Sequence, residues 1–239
     1  MNEDMNNDPT RLTRRESLAK LGGLAATAFG ATAWGLESAA GSDSASGPAG
    51  VTSGLVRCVL TPEQTEGPYF LEGDKVRRDV RAGRQGVPLS LHATVVDVSS
   101  CRPIKGAAVD IWHCDALGVY SGVAAQNTVG KRFLRGIQRT NANGLAIFKT
   151  IYPGWYGGRT VHIHVRVYLG GSVIHTGQLY FPEKVTVAVY KRSPYRRRPN
   201  RDTRNATDFV YRNGGRRSLL TMRRSGAGYV GEITMGVSR

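Results

Sequence analysis

The sequence has no Cys-x-x-Cys pair, few acidic side chains and no apolar run near the ~20 residues of a membrane-spanning helix. The first absence argues against a zinc ribbon or a dithiol redox motif. The last leaves no expectation of a helical membrane span. Only Cys58, Cys101 and Cys114 are available for bridging, so an exported chain could hold one disulfide and one free thiol, with the pairing open. Asp and Glu number 18 against 33 Lys and Arg, a formal charge of +15. The imbalance is local, because Lys191 to Arg224 holds twelve basic and two acidic residues. Beyond residue 50 there is also no amphipathic helical stripe of any length and no internal repeat.

What is present begins with a leader. Arg14-Arg15 stands just before a weakly apolar stretch, Leu21 to Leu36, and small residues follow from Ser38 to Gly50. Charged, apolar and small segments in that order form the plan of a secretory leader, and the paired arginine resembles a twin-arginine signal. Residues 1–50 are therefore expected to be a signal peptide and flexible linker. Residues 51–239 are expected to form one domain, and the protein is expected outside the cytoplasm.

After Leu55 the chain reads as short β-like runs between turn residues. Runs are expected at 88–98, 107–114, 135–140, 145–151, 161–169, 172–181, 209–212, 218–222 and 229–237. Asn143-Gly144 and Gly170-Gly171 mark two hairpins. Many short strands without crossover helices point to a mainly β protein, an antiparallel sandwich with long loops. Residues 191–205, with Pro194, Pro199 and crowded arginines, are expected to be a long surface loop.

The sharpest chemical feature is Val161-His162-Ile163-His164-Val165-Arg166-Val167. Alternate side chains of a strand share a face, so His162, His164 and Arg166 oppose Ile163, Val165 and Val167. The two histidines would lie roughly 7 Å apart at Cα, close enough to bind one ion. The glycine-rich turn Tyr152-Pro153-Gly154-Trp155-Tyr156-Gly157-Gly158-Arg159 leads into this strand and can fold Tyr156 toward it. A phenol with a free pKa of about 10 ligates at neutral pH only when the ion removes its proton. Imidazole with phenolate suits Fe(III) better than Zn²⁺. On composition alone Tyr152 and Tyr180 compete with Tyr156. His92, His113 and His175, like Trp112 and Trp155, read more naturally as structural or solvated residues.

The segments Asp110-Ile-Trp-His-Cys-Asp-Ala-Leu-Gly-Val-Tyr120-Ser121, Tyr152 to His164, Gly177-Gln-Leu-Tyr-Phe181 and Gln64-Thr-Glu-Gly-Pro-Tyr69 resemble, in order and spacing, the core of the intradiol ring-cleavage dioxygenases. The likeness runs from Thr61 to Val237. It implies a β-sandwich and a non-haem Fe(III) cofactor held by Tyr120, Tyr156, His162 and His164. It further implies that Tyr120 stays bound while substrate displaces Tyr156. Arg159 would stabilise charge on the ring, Gln178 would line the pocket, and Gly67, Pro68 and Tyr69 would lie near its mouth. The implied reaction cleaves a catechol-type aromatic with O₂ to a cis,cis-muconate-type product. The leader and the Pro153-Gly-Trp-Tyr-Gly-Gly-Arg159 turn look more like an exported branch of the family, which leaves oligomeric state and the particular catechol open.

Two other readings use the same residues. Lys191 to Arg224, with Tyr195 and Tyr211 interleaved, could make the domain a binding module for an acidic polymer, or could steer anionic aromatics to the site. Nucleic acid is set aside, since export removes the usual partner and no reader motif is present. A zinc or copper hydrolase built on His162 and His164 is the other, and a colourless zinc protein would distinguish it.

Overall fold

Eight strands make up the core of the computed structural model, which describes residues 58–239. The strands are β1 (Pro88–Asp97), β2 (Ala108–Trp112), β3 (Arg135–Arg139), β4 (Leu145–Ile151), β5 (His162–Leu169), β6 (Ser172–Tyr180), β7 (Thr221–Ser225) and β8 (Gly228–Val237). They form two four-stranded sheets, ordered β4-β1-β8-β7 and β3-β2-β5-β6. The expected leader, residues 1–50, lies outside the described residues.

The sandwich is not wholly antiparallel. β1 and β8 pair in parallel, from Leu89 opposite Tyr229 to Asp97 opposite Val237, while the other strand pairs run antiparallel. Parallel neighbours need a long connection. Here the connection is all the intervening chain, including the second sheet. Leu89, Leu91, Ala93 and Val95 of β1 are buried with Val109, Ile111, Phe148, Ile163, Val165 and Val167 in one core. Burial of each large aliphatic there contributes about 1.5–3 kcal/mol.

Of the two predicted hairpins, Gly170-Gly171 joins the paired strands β5 and β6, but Asn143-Gly144 makes a tight turn between β3 and β4, which pair in different sheets, so the chain crosses there from one layer to the other instead of forming a hairpin. Asn141 Oδ1 accepts from the N–H groups of Asn143 (2.9 Å) and Leu145 (3.0 Å), and Gly144 takes φ +69°. Cys58 and Cys101 form the disulfide, with Cα atoms 5.5 Å apart, and Cys114 is free and buried.

The expectation of no helix beyond the leader is corrected. Glu183–Tyr190 is a two-turn helix, α1, that buries Thr186, Val189 and Tyr190 on one side. Its Val and Thr content favours a strand, but burial at i, i+3 and i+4 suits a helix. Phe209–Arg212, expected as a strand run, is a single helical turn, α2, because Asp208 accepts from the Tyr211 N–H at 2.7 Å and caps it. The run at 218–222 divides between a 3-10 turn, Gly215–Ser218, and β7.

The 191–205 segment is not a strand, yet it is anchored rather than lying free on the surface. Tyr195 is fully buried, its hydroxyl accepting from the Val87 N–H (3.0 Å) and donating to the Tyr152 carbonyl (2.6 Å). Arg201 pairs with Glu183 at 2.6 Å.

Candidate metal centre

The outer face of the second sheet carries the site. His164 of β5 stands opposite Trp112 of β2 and Gln178 of β6, and His162 stands opposite Tyr180. Ile163, Val165 and Val167 point the other way into the core, as alternation requires. Both histidines are buried, and their Nε2 atoms face each other at 3.0 Å.

Tautomers follow from the neighbours. His162 Nδ1 lies 2.6 Å from the Thr160 carbonyl, so it carries the proton and leaves the Nε2 lone pair free. The Tyr156 hydroxyl reaches that Nε2 at 3.3 Å. Burial, with the Arg159 cation nearby, pushes His162 down to about 3, and burial with His162 alongside pushes His164 well below the ordinary range. Both rings are neutral donors near pH 7.

Tyr120 is carried by the loop after β2 and Tyr156 by the glycine-rich turn before β5. Their rings lie 5.6 Å apart and edge-on, and the Tyr120 ring is 6.3 Å from that of His164. Tyr120 is fully buried, whereas Tyr156 is half-buried. Burial raises both phenols, Tyr120 well above the ordinary value and Tyr156 to about 12, with Arg159 pulling Tyr156 back. Among the described residues the Tyr120 hydroxyl and His164 Nδ1 have no hydrogen-bond partner.

Aromatic rings enclose these donors. Tyr69 stacks on Tyr120 at 4.3 Å, Trp112 lies parallel to the His164 imidazole at 5.0 Å, and Phe70 meets Trp112 edge-on at 5.1 Å. Gly67, at φ +70°, brings the backbone so near that a Cβ would sit 3.1 Å from His164 Cε1.

Arg159 donates from Nη2 to Gln178 Oε1 at 2.5 Å, and Gln178 in turn donates to the Thr65 carbonyl at 2.9 Å. All six predicted site residues, Tyr120, Tyr156, Arg159, His162, His164 and Gln178, therefore converge, with Gly67 and Tyr69 beside them. Tyr152 lies elsewhere, bound to Thr186 in the core at 2.7 Å, and Tyr180 spends its hydroxyl on Gln64 and Gln178. His113 is structural, held between the Cys114 carbonyl (2.8 Å) and Thr150 (2.7 Å), and His175 pairs with Glu63 at 2.9 Å. His92 lies partly exposed against Ser90 and Glu232.

Sequence reasoning missed Arg135, Arg198, Asp202, Asn205 and Asp208. Arg135 donates to the Ser121 hydroxyl (2.8 Å) and carbonyl (2.7 Å), fixing the residue after Tyr120. Its signal was an inward charge at the start of β3. The aspartate before Phe209 was a capping signal.

The donor set fits a ferric ion. Two neutral imidazoles offer lone pairs, and two phenols that burial keeps protonated would ionise only against a strongly acidic cation. The unpartnered Tyr120 hydroxyl is a buried polar group that folding leaves unsatisfied and a metal would satisfy.

Similarity to known proteins shows the family of this fold. A family model described as Dioxygenase matches residues 65–191. An intradiol ring-cleavage dioxygenase from Tetranychus urticae is 37% identical, superposes with a TM-score of 0.72, and is aligned over 76% of this chain and 95% of its own. The chain belongs to the intradiol ring-cleavage dioxygenase family. Another relative is the dioxygenase domain of a dioxygenase carbohydrate-binding protein fusion from Streptomyces sp. SirexAA-E. It is 31% identical, with a TM-score of 0.59, over 75% of this chain and 99% of that one. Catechol 1,2-dioxygenase 1 of Acinetobacter lwoffii is 32% identical over 102 residues, 41% of this chain but 32% of that protein. The fold is thus shared over nearly the whole of the two solved relatives, whereas the sequence match spans about a third of the length of the curated one.

Proposed function

We propose that this protein is a non-haem Fe(III)-dependent dioxygenase that opens the ring of a catechol-type aromatic with O₂, giving a cis,cis-muconate-type product. The observation that carries this reading is the convergence of two neutral imidazoles and two tyrosines on one buried spot in a chain of this family. His162 and His164 through Nε2, and Tyr120 and Tyr156 through their phenolic oxygens, would hold the ion. When bound, a ferric ion supplies a Lewis acid that draws electron density from a chelating catecholate, so that its ring reacts with O₂.

The chain's own residues divide the remaining work. Tyr120, fully buried and stacked under Tyr69, is placed to stay. Tyr156 is half-buried beside the Arg159 cation, so its phenolate oxygen is the natural acceptor for a proton released by the incoming catechol. Arg159 stabilises the negative charge of the bound ring, an effect strengthened in a pocket that excludes water. Tyr69, Phe70 and Trp112 supply that exclusion.

We also infer export, in line with the leader-like residues 1–50. The Cys58–Cys101 bridge supports it, since structural disulfides persist in oxidising compartments.

The test is reaction of the iron-loaded protein with catechol under isotopically labelled O₂. The expected product is a ring-opened dicarboxylic acid carrying both labelled oxygens. Oxidation to a quinone, or a product with no label, would contradict the proposal.

A further inference from the structure

The site leans on a carboxylate that ring cleavage does not itself call for. Asp208 is fully buried and accepts from three donors. Its Oδ2 takes Arg159 Nε at 2.9 Å and the Thr160 N–H at 2.7 Å, and its Oδ1 takes the Tyr211 N–H at 2.7 Å. Burial acts to raise this carboxyl, but the two backbone donors and Arg159 outweigh it and hold it below the ordinary range.

Arg159 is thereby gripped at two points of its planar fork, Nε by Asp208 and Nη2 by Gln178 at 2.5 Å. Two anchors fix the plane of a guanidinium that would otherwise sample several rotamers. Thr160 is held on three sides. Its N–H goes to Asp208, its hydroxyl donates to Asn205 Oδ1 at 2.7 Å, and its carbonyl accepts from His162 Nδ1 at 2.6 Å. One carboxylate therefore orients the cation directly, while Thr160, whose carbonyl meets His162, has a further anchor in Asn205.

The neighbours of Asp208 act on the same turn. Asp202 accepts from the Gly158 N–H at 3.1 Å. Arg198 donates to the carbonyls of Leu117 and Trp155, joining the Tyr120 loop to the Tyr156 turn, and its guanidinium lies 4.3 Å over the Trp155 ring. The arginine-rich stretch is in this part a frame clasping residues 154–160, not a free polyanion-binding loop.

We propose that Asp208 is a positioning residue for ring cleavage: it holds the Arg159 guanidinium in the orientation that meets the substrate catecholate. The role rests on the dioxygenase reading above. An amide is a poor replacement, since its NH₂ would face either Tyr211 N–H or the Arg159 and Thr160 donors.

The experiment compares wild type, D208N, R159Q and the double variant as full-length, iron-loaded protein, with iron content and thermal unfolding measured on each. D208N is expected to keep its iron and lose about 10–100-fold in kcat/KM. The double variant is expected to match R159Q within about twofold, because Asp208 acts through Arg159. Wild-type kinetics in D208N, or losses that multiply in the double variant, would overturn the assignment.

A second readout needs no metal. In the ¹⁵N-labelled metal-free protein, the Arg159 Nε–H signal, assigned by its loss in R159Q, should exchange slowly with solvent and at least tenfold faster in D208N. Unchanged protection would also overturn it. If D208N does not fold, R159K serves, because it leaves the carboxylate in place but cannot span both anchors. R159K should lose as much activity as R159Q, and full activity would refute the orienting role. An inactive wild type would instead count against the dioxygenase reading, leaving the exchange measurement to judge the Asp208 contact alone.

Discussion

Tyr120 carries a hydroxyl that folding alone gives no reason to keep. It is fully buried, with no hydrogen-bond partner among the described residues, and leaving such a group unsatisfied costs roughly 1–3 kcal/mol. Tyr120→Phe should therefore leave the metal-free protein as stable as wild type, or about 1 kcal/mol more stable, in urea unfolding. The same variant should bind ferric iron at least tenfold more weakly. A metal-free variant clearly less stable than wild type would mean that the hydroxyl is structural. At this scale the sequence was uneven. His162 and His164 could be placed on one face from strand alternation alone. Tyr120, Arg159 and Gln178 come from different elements, so only the match of four spaced motifs to a family brought them together. Asp208 escaped because Phe209–Arg212, the turn it caps, carried a strand expectation.

Between elements, the decisive contact joins the Tyr120 loop to the Tyr156 turn. Asp115 Oδ1 accepts from the N–H groups of Leu117 (2.9 Å) and Val119 (3.0 Å), while the Asp115 carbonyl accepts from the Gly154 N–H at 3.0 Å. Gly118, at φ +85°, lets the two chains approach so closely that a Cβ would overlap the Trp155 carbonyl. Gly118→Ala should destabilise by about 2 kcal/mol or more, combining backbone strain with the overlap. Since the two tyrosines would be forced apart, iron content should fall as well. A variant with wild-type unfolding and full iron would show that this approach does not set the spacing. The strands were legible because period-two patterns and Asn-Gly or Gly-Gly turns are local signals. The short helices α1 and α2 were not. Eight residues rich in Val and Thr carry a strand's composition, and only burial of Thr186, Val189 and Tyr190 reveals the helix. The parallel pairing of β1 with β8 joins the first strand to the last, and no local pattern encodes it.

The whole molecule combines an oxidised staple with a strongly basic chain. The Cys58–Cys101 bridge closes a separation of 43 residues, worth about 4 kcal/mol in the chain-entropy account. Cys101→Ser should lower the unfolding free energy by a comparable amount and leave the iron site intact. Loss of less than about 1 kcal/mol would mean that the bridge adds little to the fold. The sequence allowed one bridge and one free thiol but could not choose the pair, because the choice depends on where β1 ends against its neighbours. Charge was legible as a total, +15, but not in its use. Arg159, Arg198 and Arg201 work inside the fold, while many others face solvent.

The central claim is that two tyrosines and two histidines hold a ferric ion open to a catechol. A visible absorption spectrum of the iron-loaded protein, before and after anaerobic catechol, tests it most directly. The account predicts a broad tyrosinate-to-iron band that moves to longer wavelength as catechol binds. Bound iron without visible colour, or a band that catechol leaves unchanged, would contradict it.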